Sequence, residues 1–395
     1  MVKIKQLFEH AGINDVRYEI SKQLIESEVC DYNYHNKMVA VAVGSRGIKN
    51  LDVIVKEVLL FLKSKGAYPF IVPAMGSHGN ADADGQKQVL NSYGINEETM
   101  GVPVISDMET VTVGKTESGI EVFTDRHAFE ADMIVVVNRV KAHTDFKGEI
   151  ESGLCKMLAI GLGKEKGCTT LHEHGTMNFP RIIPDVGSFL IERLSVAFGV
   201  AIVEDAYDNT SIIKVLPAEE IIEGEKKLLK ISKTMMPKIM IPEIDVLIVE
   251  RFGKDVSGAG MDPNITGRAS MEGAYGFKGP DIKRIIVLDL TEESHGNACG
   301  ICCADFITRK FFEKIDFDAT YKNSIACFNP RSSQIPMIAE NEEDALKLAV
   351  RSCRNIDFDT AKIVRIKDTL ALGEIYVSEN LIEAAGKNKM IQIIG

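Results

Sequence analysis

Residues 133–175 read MIVVVNRVKAHTDFKGEIESGLCKMLAIGLGKEKGCTTLHEHG, and the fold is read outward from here. Residues 133–137 (MIVVV) form an apolar, β-branched run, the composition of a buried strand in a sheet covered by helices. Behind it come His143, Lys156, His172 and His174, six glycines, and the acidic pair Glu149 and Glu151. Three of the chain's eight histidines fall in this stretch. Open α/β sheets bind ligands beyond the carboxyl ends of their strands, so titratable groups crowded after a strand mark a candidate site. The plainer reading is an ordinary βα connection with a polar loop.

Upstream, residues 38–43 (MVAVAV) form another β-rich run, followed by the turn GSRG at 44–47. Asn50 then stands as N-cap of a helix in which Leu51, Ile54, Val55, Val58, Leu59 and Leu62 recur at helical spacing and which ends at Gly66. A second unit follows at once, with a strand at 69–72, the loop PAMGSHGNADADG at 73–85 and a helix at 86–93. Further strands are expected at 119–123 and 200–203, and helices at 180–199 and 217–232. Strands alternating with helices argue for a mainly parallel sheet.

A chain of 395 residues exceeds one hydrophobic core, so two domains are expected. The segment KTMMPKIMIP at 233–242, with two prolines and little helical periodicity, marks the boundary. The expected division is an N-terminal cofactor-binding, catalytic α/β domain at 1–238, a C-terminal α/β domain at 239–380, and a segment at 381–395 packing back on the N-terminal domain. In the second domain, strands are expected at 246–250, 284–290, 362–366 and 374–377, and helices at 304–313 and 343–351. The fold class is α/β, with two domains, mainly parallel helix-covered sheets and an active-site cleft between them.

Hydrophobic content of 45% and charged content of 26% are those of a globular protein. The net charge of −11 argues against a nucleic-acid partner, because phosphates demand basic faces. The N-terminal MVKIKQLFEHAG lacks the apolar core and cleavage site of a signal peptide, and no apolar run has the length of a membrane helix. A cytoplasmic location without membrane association is therefore expected. In that reducing compartment the eight cysteines are not expected to pair. The cluster Cys299, Cys302 and Cys303 (CGICC) has no second C-x-x-C and reads as small buried hydrophobes.

Three loops after strands in the first half each bring a polar group: Arg46 in GSRG, with Ser45 beside it, His78 in GSHGN, and His143 in KAHTDF. Loops at one edge of a parallel sheet converge, so this set supplies two proton-transfer groups and a bidentate carboxylate anchor. Lys156, in SGLCKMLAIGLG, sits in an apolar helical context and either reaches to solvent or is partly buried with a depressed pKa; only the second makes it a nucleophile. Gly161 and Gly163 would let backbone N–H groups approach a phosphate. His172 and His174 form an H-x-H pair that either binds a metal or is solvated. His295 and Asn297 in EESHGNACG, and Lys254 in RFGKDVSGAGMDPN, are the candidate contributions of the second domain, with Asp262 and Asn264 as equal alternatives to Lys254.

These residues resemble the nickel-pincer lactate racemase family. The matching positions, in the family's order, are Arg46, His78 in MGSHG, His143 in KAHTDF, Lys156 in GLCKML and His172 in CTTLHEHG. The resemblance implies a cofactor, the nickel pincer nucleotide (pyridinium-3,5-bisthiocarboxylic acid mononucleotide with nickel), covalently joined to Lys156, with His172 on the metal and His174 as the alternative ligand. It implies racemisation or epimerisation of a 2-hydroxy acid by transient hydride transfer to that cofactor, with His78 and His143 as acid and base on opposite faces and Arg46 on the carboxylate. Partners would then be a small hydroxy acid and cofactor-biosynthesis proteins.

The chain departs from the family in several places. The family's D-H-T-R-P is GSRG here, its G-x-H-R-P is GSHGN, the His143 loop reads HTDFKGEIESG, and the chain has no tryptophan. Lactate is therefore not the favoured substrate, and a larger or more polar hydroxy acid is expected. The competing readings are a metal-dependent hydrolase or lyase built on His172 and His174, and a non-catalytic nucleotide- or metal-binding protein. A nicotinamide dehydrogenase ranks low, since no strand is followed by G-x-G-x-x-G.

Overall fold

The β-branched runs at 38–43, 69–72 and 133–137 become three neighbouring strands. In the computed structural model, which describes residues 1–44 and 47–394, a five-stranded sheet has the order Tyr68–Pro73, Met38–Val43, Met133–Arg139, Val196–Glu204 and Thr210–Pro217. The first four strands are parallel and the last pairs antiparallel. Val41 lies opposite Ile71 on one side and Val135 on the other, and the runs at 38–43 and 133–137 are buried beyond their first residues, Met38 and Met133. Helix Leu51–Ser64 buries the six apolar residues of its stripe against this sheet's core. Asn50 occupies the N-cap position in a left-handed conformation (φ 60°), but its side chain does not cap. Its amide donates instead to Thr210 Oγ1 at 3.0 Å.

The chain divides into two units. One comprises His10–His143 and Gly148–Met236; the other comprises Met1–Glu9, Thr144–Lys147 and Pro237–Gly395. The second unit carries an eight-stranded sheet in the order Met337–Ala339, Phe306–Thr308, Asp281–Leu290, Glu243–Phe252, Ile363–Ile366, Glu374–Val377, Val2–Gln6 and Ile391–Ile393. Pairing is parallel as far as Ile363–Ile366 and antiparallel thereafter.

Two expectations are corrected here. Residues 1–9 do not belong to the N-terminal domain: in VKIKQ, apolar and polar residues alternate, and Val2–Gln6 is a strand between Glu374–Val377 and Ile391–Ile393. The segment 381–395 does not pack on the N-terminal domain, because its strand Ile391–Ile393 completes that same sheet by pairing with Val2–Gln6. Long-range edge pairing of this kind has no local sequence signal.

Smaller differences have similar causes. The helix expected at 304–313 is a three-residue strand, Phe306–Thr308, and a short helix, Arg309–Glu313, with Thr308 as N-cap. The helix expected at 180–199 ends at Arg193, where the nine-residue strand Val196–Glu204 begins. Among the described residues, no helix is long and apolar enough to cross a membrane.

Candidate functional site

The strand order places Met38–Val43 between Tyr68–Pro73, which follows it in the chain, and Met133–Arg139, which comes later. The chain therefore reverses its direction of winding between Met38–Val43 and Met133–Arg139, and a crevice opens at such a switch point, beyond the carboxyl ends of the strands. The loop after Met38–Val43 begins at Gly44, where a Cβ would lie 3.0 Å from Asn138 Oδ1 and 3.2 Å from Met157 Sδ. The glycine thus lets this loop meet the one after Met133–Arg139. Ser45 and Arg46, placed here by the sequence, lie outside the described residues.

His143 and Lys156 meet. Lys156 Nζ lies 2.6 Å from His143 Nε2, and both side chains are half-buried. A contact this short needs one lone pair, so either the ammonium donates to a neutral imidazole or the imidazole N–H donates to a free amine. Lys156 is thus neither splayed into solvent nor walled into an apolar core. The His143 loop is shaped by Glu151, a fully buried carboxylate that accepts from His143 N (2.6 Å) and Gly148 N (3.1 Å) and pairs with Lys233 at 2.7 Å.

Lys156 ends the short helix Leu154–Lys156, and residues Met157–Gly161 continue as one π turn, closed by Leu162 N donating to Met157 O at 2.8 Å. π turns are rare and are frequent at functional sites. No signal in the sequence distinguishes this one from α-helix. Gly161 and Gly163 stand where the chain packs closely. A Cβ at Gly161 would lie 2.7 Å from Ala74 O, and one at Gly163 would lie 3.1 Å from Gly167 Cα.

The H-x-H pair separates. On a helix, residues two apart do not face each other. His172 is half-buried against Phe179, with ring centroids 4.9 Å apart at 77°, whereas His174, the C-cap residue of helix Lys164–Glu173, is exposed. His172 Nδ1 lies 2.7 Å from the carbonyl oxygen of Cys168. A carbonyl can only accept, so Nδ1 carries the proton and Nε2 is left as the lone-pair nitrogen of the neutral ring. The Cys168 thiol, 3.6 Å from Nδ1 and 3.7 Å from Ser77 Oγ, completes the group. Burial works against the imidazolium, but the sulfur beside it holds the His172 pKa above the ordinary value, while the nearby Lys156 charge lowers it. Burial likewise opposes the Cys168 thiolate, yet His172 and Ser77 bring that thiol below its ordinary value. Contacts and field therefore link His143, Lys156, His172, Cys168 and Ser77, the residue before His78.

The loop carrying His78 is held from beneath by buried polar groups that the sequence did not single out. Lys164, fully buried at φ 54°, donates to Pro73 O (2.7 Å) and Gln86 Oε1 (3.2 Å) and pairs with buried Asp125 at 3.1 Å. The Gln86 amide then donates to Gly76 O (2.9 Å) and His78 O (3.2 Å). His78 itself is exposed.

Behind Lys156 lies Glu225. It occupies the apolar face of helix Ile221–Met235, among Ile221, Leu228 and Leu229, and is fully buried. Burial pushes its carboxyl from 4.5 up to about 7, against hydrogen bonds from Cys155 and Leu154 that lower it. Since folding raises the pKa of this acid, the folded chain keeps a proton that the unfolded chain loses between pH 4.5 and about 7. Stability therefore falls as pH rises through that window and is level above it. At about 1.4 kcal/mol per decade of proton affinity, this group contributes a fall on the order of 3 kcal/mol. Urea unfolding across the window should show that component in the wild type and not in Glu225→Gln; parallel curves for the two would refute it.

In the other unit, the expected polar residues brace loops. Lys254 Nζ donates to Gly258 O (2.7 Å) and Cys299 O (3.1 Å). Asn297 donates to Asn323 Oδ1 (3.1 Å) and accepts from Cys299 N (3.1 Å). His295 is exposed in a left-handed turn (φ 46°). Asp262 caps the turn Pro263–Thr266, and Asn264 meets Lys147. Cys299 and Cys303 are buried as expected, whereas Cys302 is partly exposed, and none of the three forms a disulfide. Among the described residues, no three His, Cys, Asp or Glu side chains gather as a metal cage.

Residues 25–182, which contain His78, His143, Lys156 and His172, match the family of the lactate racemase N-terminal domain. No curated protein matches the chain in sequence. In three dimensions the chain is similar to the lactate racemase apoprotein from Thermoanaerobacterium thermosaccharolyticum, with a TM-score of 0.54 and 11% identity over 94% of this chain and 99% of that one. At that identity the likeness speaks for the fold alone. The chain is thus lactate-racemase-like: residues 25–182 match the family of the lactate racemase N-terminal domain, and the chain as a whole is similar in fold.

Proposed function

We propose that this protein is a racemase or epimerase of a 2-hydroxy acid that works with a nickel pincer nucleotide. The observation that carries the reading is the meeting of Lys156 with His143, with His172 close enough for the Lys156 charge to act on it. The donor chemistry fits such a group. An amine sharing a proton with an imidazole can be freed for covalent attachment, and His172 presents Nε2 with its other nitrogen fixed by a carbonyl, the arrangement that orients a metal-ligating histidine. When bound, the group supplies a reversible hydride acceptor next to the substrate's carbinol carbon.

The chain's own residues would then do the proton work. A racemase needs a proton acceptor on each face of the substrate, and His78 and His143 supply two imidazoles from the loops that follow the two strands flanking Met38–Val43. One would take the hydroxyl proton of the substrate, and the other would return a proton from the opposite face. Arg46 is assigned to the carboxylate on sequence grounds. A hydrolase chelating metal between His172 and His174 is disfavoured, because residues two apart on a helix do not face each other and His172 is half-buried while His174 is exposed.

The test is mass spectrometry with metal analysis on protein produced alongside pincer-cofactor biosynthesis. A nucleotide adduct on the Lys156 peptide with stoichiometric nickel is expected, and Lys156→Ala should abolish the adduct. An unmodified lysine in such protein would overturn the reading. His172→Ala should lower nickel occupancy more than His174→Ala. Because the His172 pKa is raised, metal must displace a proton there, so nickel retention should strengthen with rising pH in the wild type. Equal losses from the two histidine variants would remove His172 from the metal.

A further inference from the structure

We propose that Glu225 is a positioning residue for Lys156: its buried carboxylate grips the main chain of residues 154 and 155 and so directs the Lys156 amine at His143. The proposal rests on the reading of Lys156 given above. Glu225 Oε2 accepts from Cys155 N at 2.8 Å, across 70 residues of sequence, and the Leu154 N–H also bonds the carboxylate. Gly153 is built around the same group, since any Cβ there would collide with the Glu225 carboxylate. Oε1 makes no hydrogen bond to a described residue. A fully buried carboxylate with one unsatisfied oxygen on an apolar helix face is a costly device, and apolar replacement of such a group is often neutral or stabilising. A group this costly calls for a task other than stability.

The geometry suggests that task. The gripped residues, Leu154 and Cys155, immediately precede Lys156 in its three-residue helix, and the chain then enters the π turn Met157–Gly161. The direction in which the Lys156 side chain leaves the backbone is set by how this short segment is tethered. Glu225 holds its leading end, and the His143 contact at 2.6 Å is what that direction achieves.

The test uses cofactor-free protein, so its outcome is independent of whether the nucleotide adduct forms. Trace acetylation with acetic anhydride, read by peptide mass spectrometry, compares the rate at Lys156 with that at exposed Lys389 in the same molecule. In the wild type, His143→Asn should change the Lys156 rate about fivefold or more, because the amine loses its proton-sharing partner. In a Glu225→Leu background, which leaves no acceptor for Cys155 N, the same change should move the rate less than about twofold, since the contact is already lost; such non-additivity between residues that act on one group is the signature of coupling. Gly153→Ala, which drives a methyl group into the same carboxylate, should mimic Glu225→Leu if the latter folds poorly. A purely structural Glu225 would leave the His143→Asn effect the same in both backgrounds, and that result would overturn the proposal. So would a folded Glu225→Leu whose Lys156 rate matches the wild type.

Discussion

Replacing His143 with Asn should lower interconversion of the hydroxy acid by about 10²–10⁴-fold, the usual contribution of one positioned acid or base. Asn keeps much of the side-chain volume and can still hydrogen-bond, but it neither takes nor gives a proton near neutral pH. The loop should survive, because Glu151 grips it through main-chain N–H groups of residues 143 and 148 rather than through the imidazole. Measured by chiral chromatography on cofactor-loaded protein, the loss should appear with the Lys156 adduct still in place. His78→Asn should give a loss of the same order. Two imidazoles acting in series on opposite faces each limit the full reaction, so substantial turnover in either variant would refute the two-base assignment.

The largest effect on stability should come from Lys164→Met. Lys164 and Asp125 are both fully buried and 3.1 Å apart. Burial lowers the Lys164 pKa against the pull of Asp125. Removing the cation leaves a buried carboxylate without its counter-charge, which costs about 3–5 kcal/mol. Pro73 O and Gln86 Oε1 lose their donor as well, so the Gln86 amide that holds Gly76 O and His78 O is set loose. Guanidinium unfolding should register the loss. Adding Asp125→Asn should recover part of it, because the stranded charge is then gone. A change below about 1 kcal/mol would refute the role given to the Lys164–Asp125 pair.

The parallel α/β core was legible in the chain, because β-branched runs and the Leu51–Leu62 stripe report burial within one element. The pairing of Val2–Gln6 with Ile391–Ile393 was not, since nothing local in either segment names so distant a partner. The Lys156 helix was visible from its apolar neighbours, whereas its π turn was not, because α and π backbones share the same side-chain preferences.

The sequence by itself determined which residue types are available: histidines at 78, 143 and 172, a lysine at 156, and strands that bring their loops to one edge. Tertiary structure alone decided how they are used. It left His172 half-buried and His174 exposed, assigned the His172 tautomer through the Cys168 carbonyl, and joined Lys156 to His143. It also revealed Lys164 and Glu225, two charges that the sequence would leave in solvent, as the buried supports of the His78 loop and the Lys156 turn. The physical reason is common to these cases. Periodicity records how much of an element is covered, but hydrogen bonds and ion pairs are decided by which atoms from distant segments arrive opposite one another.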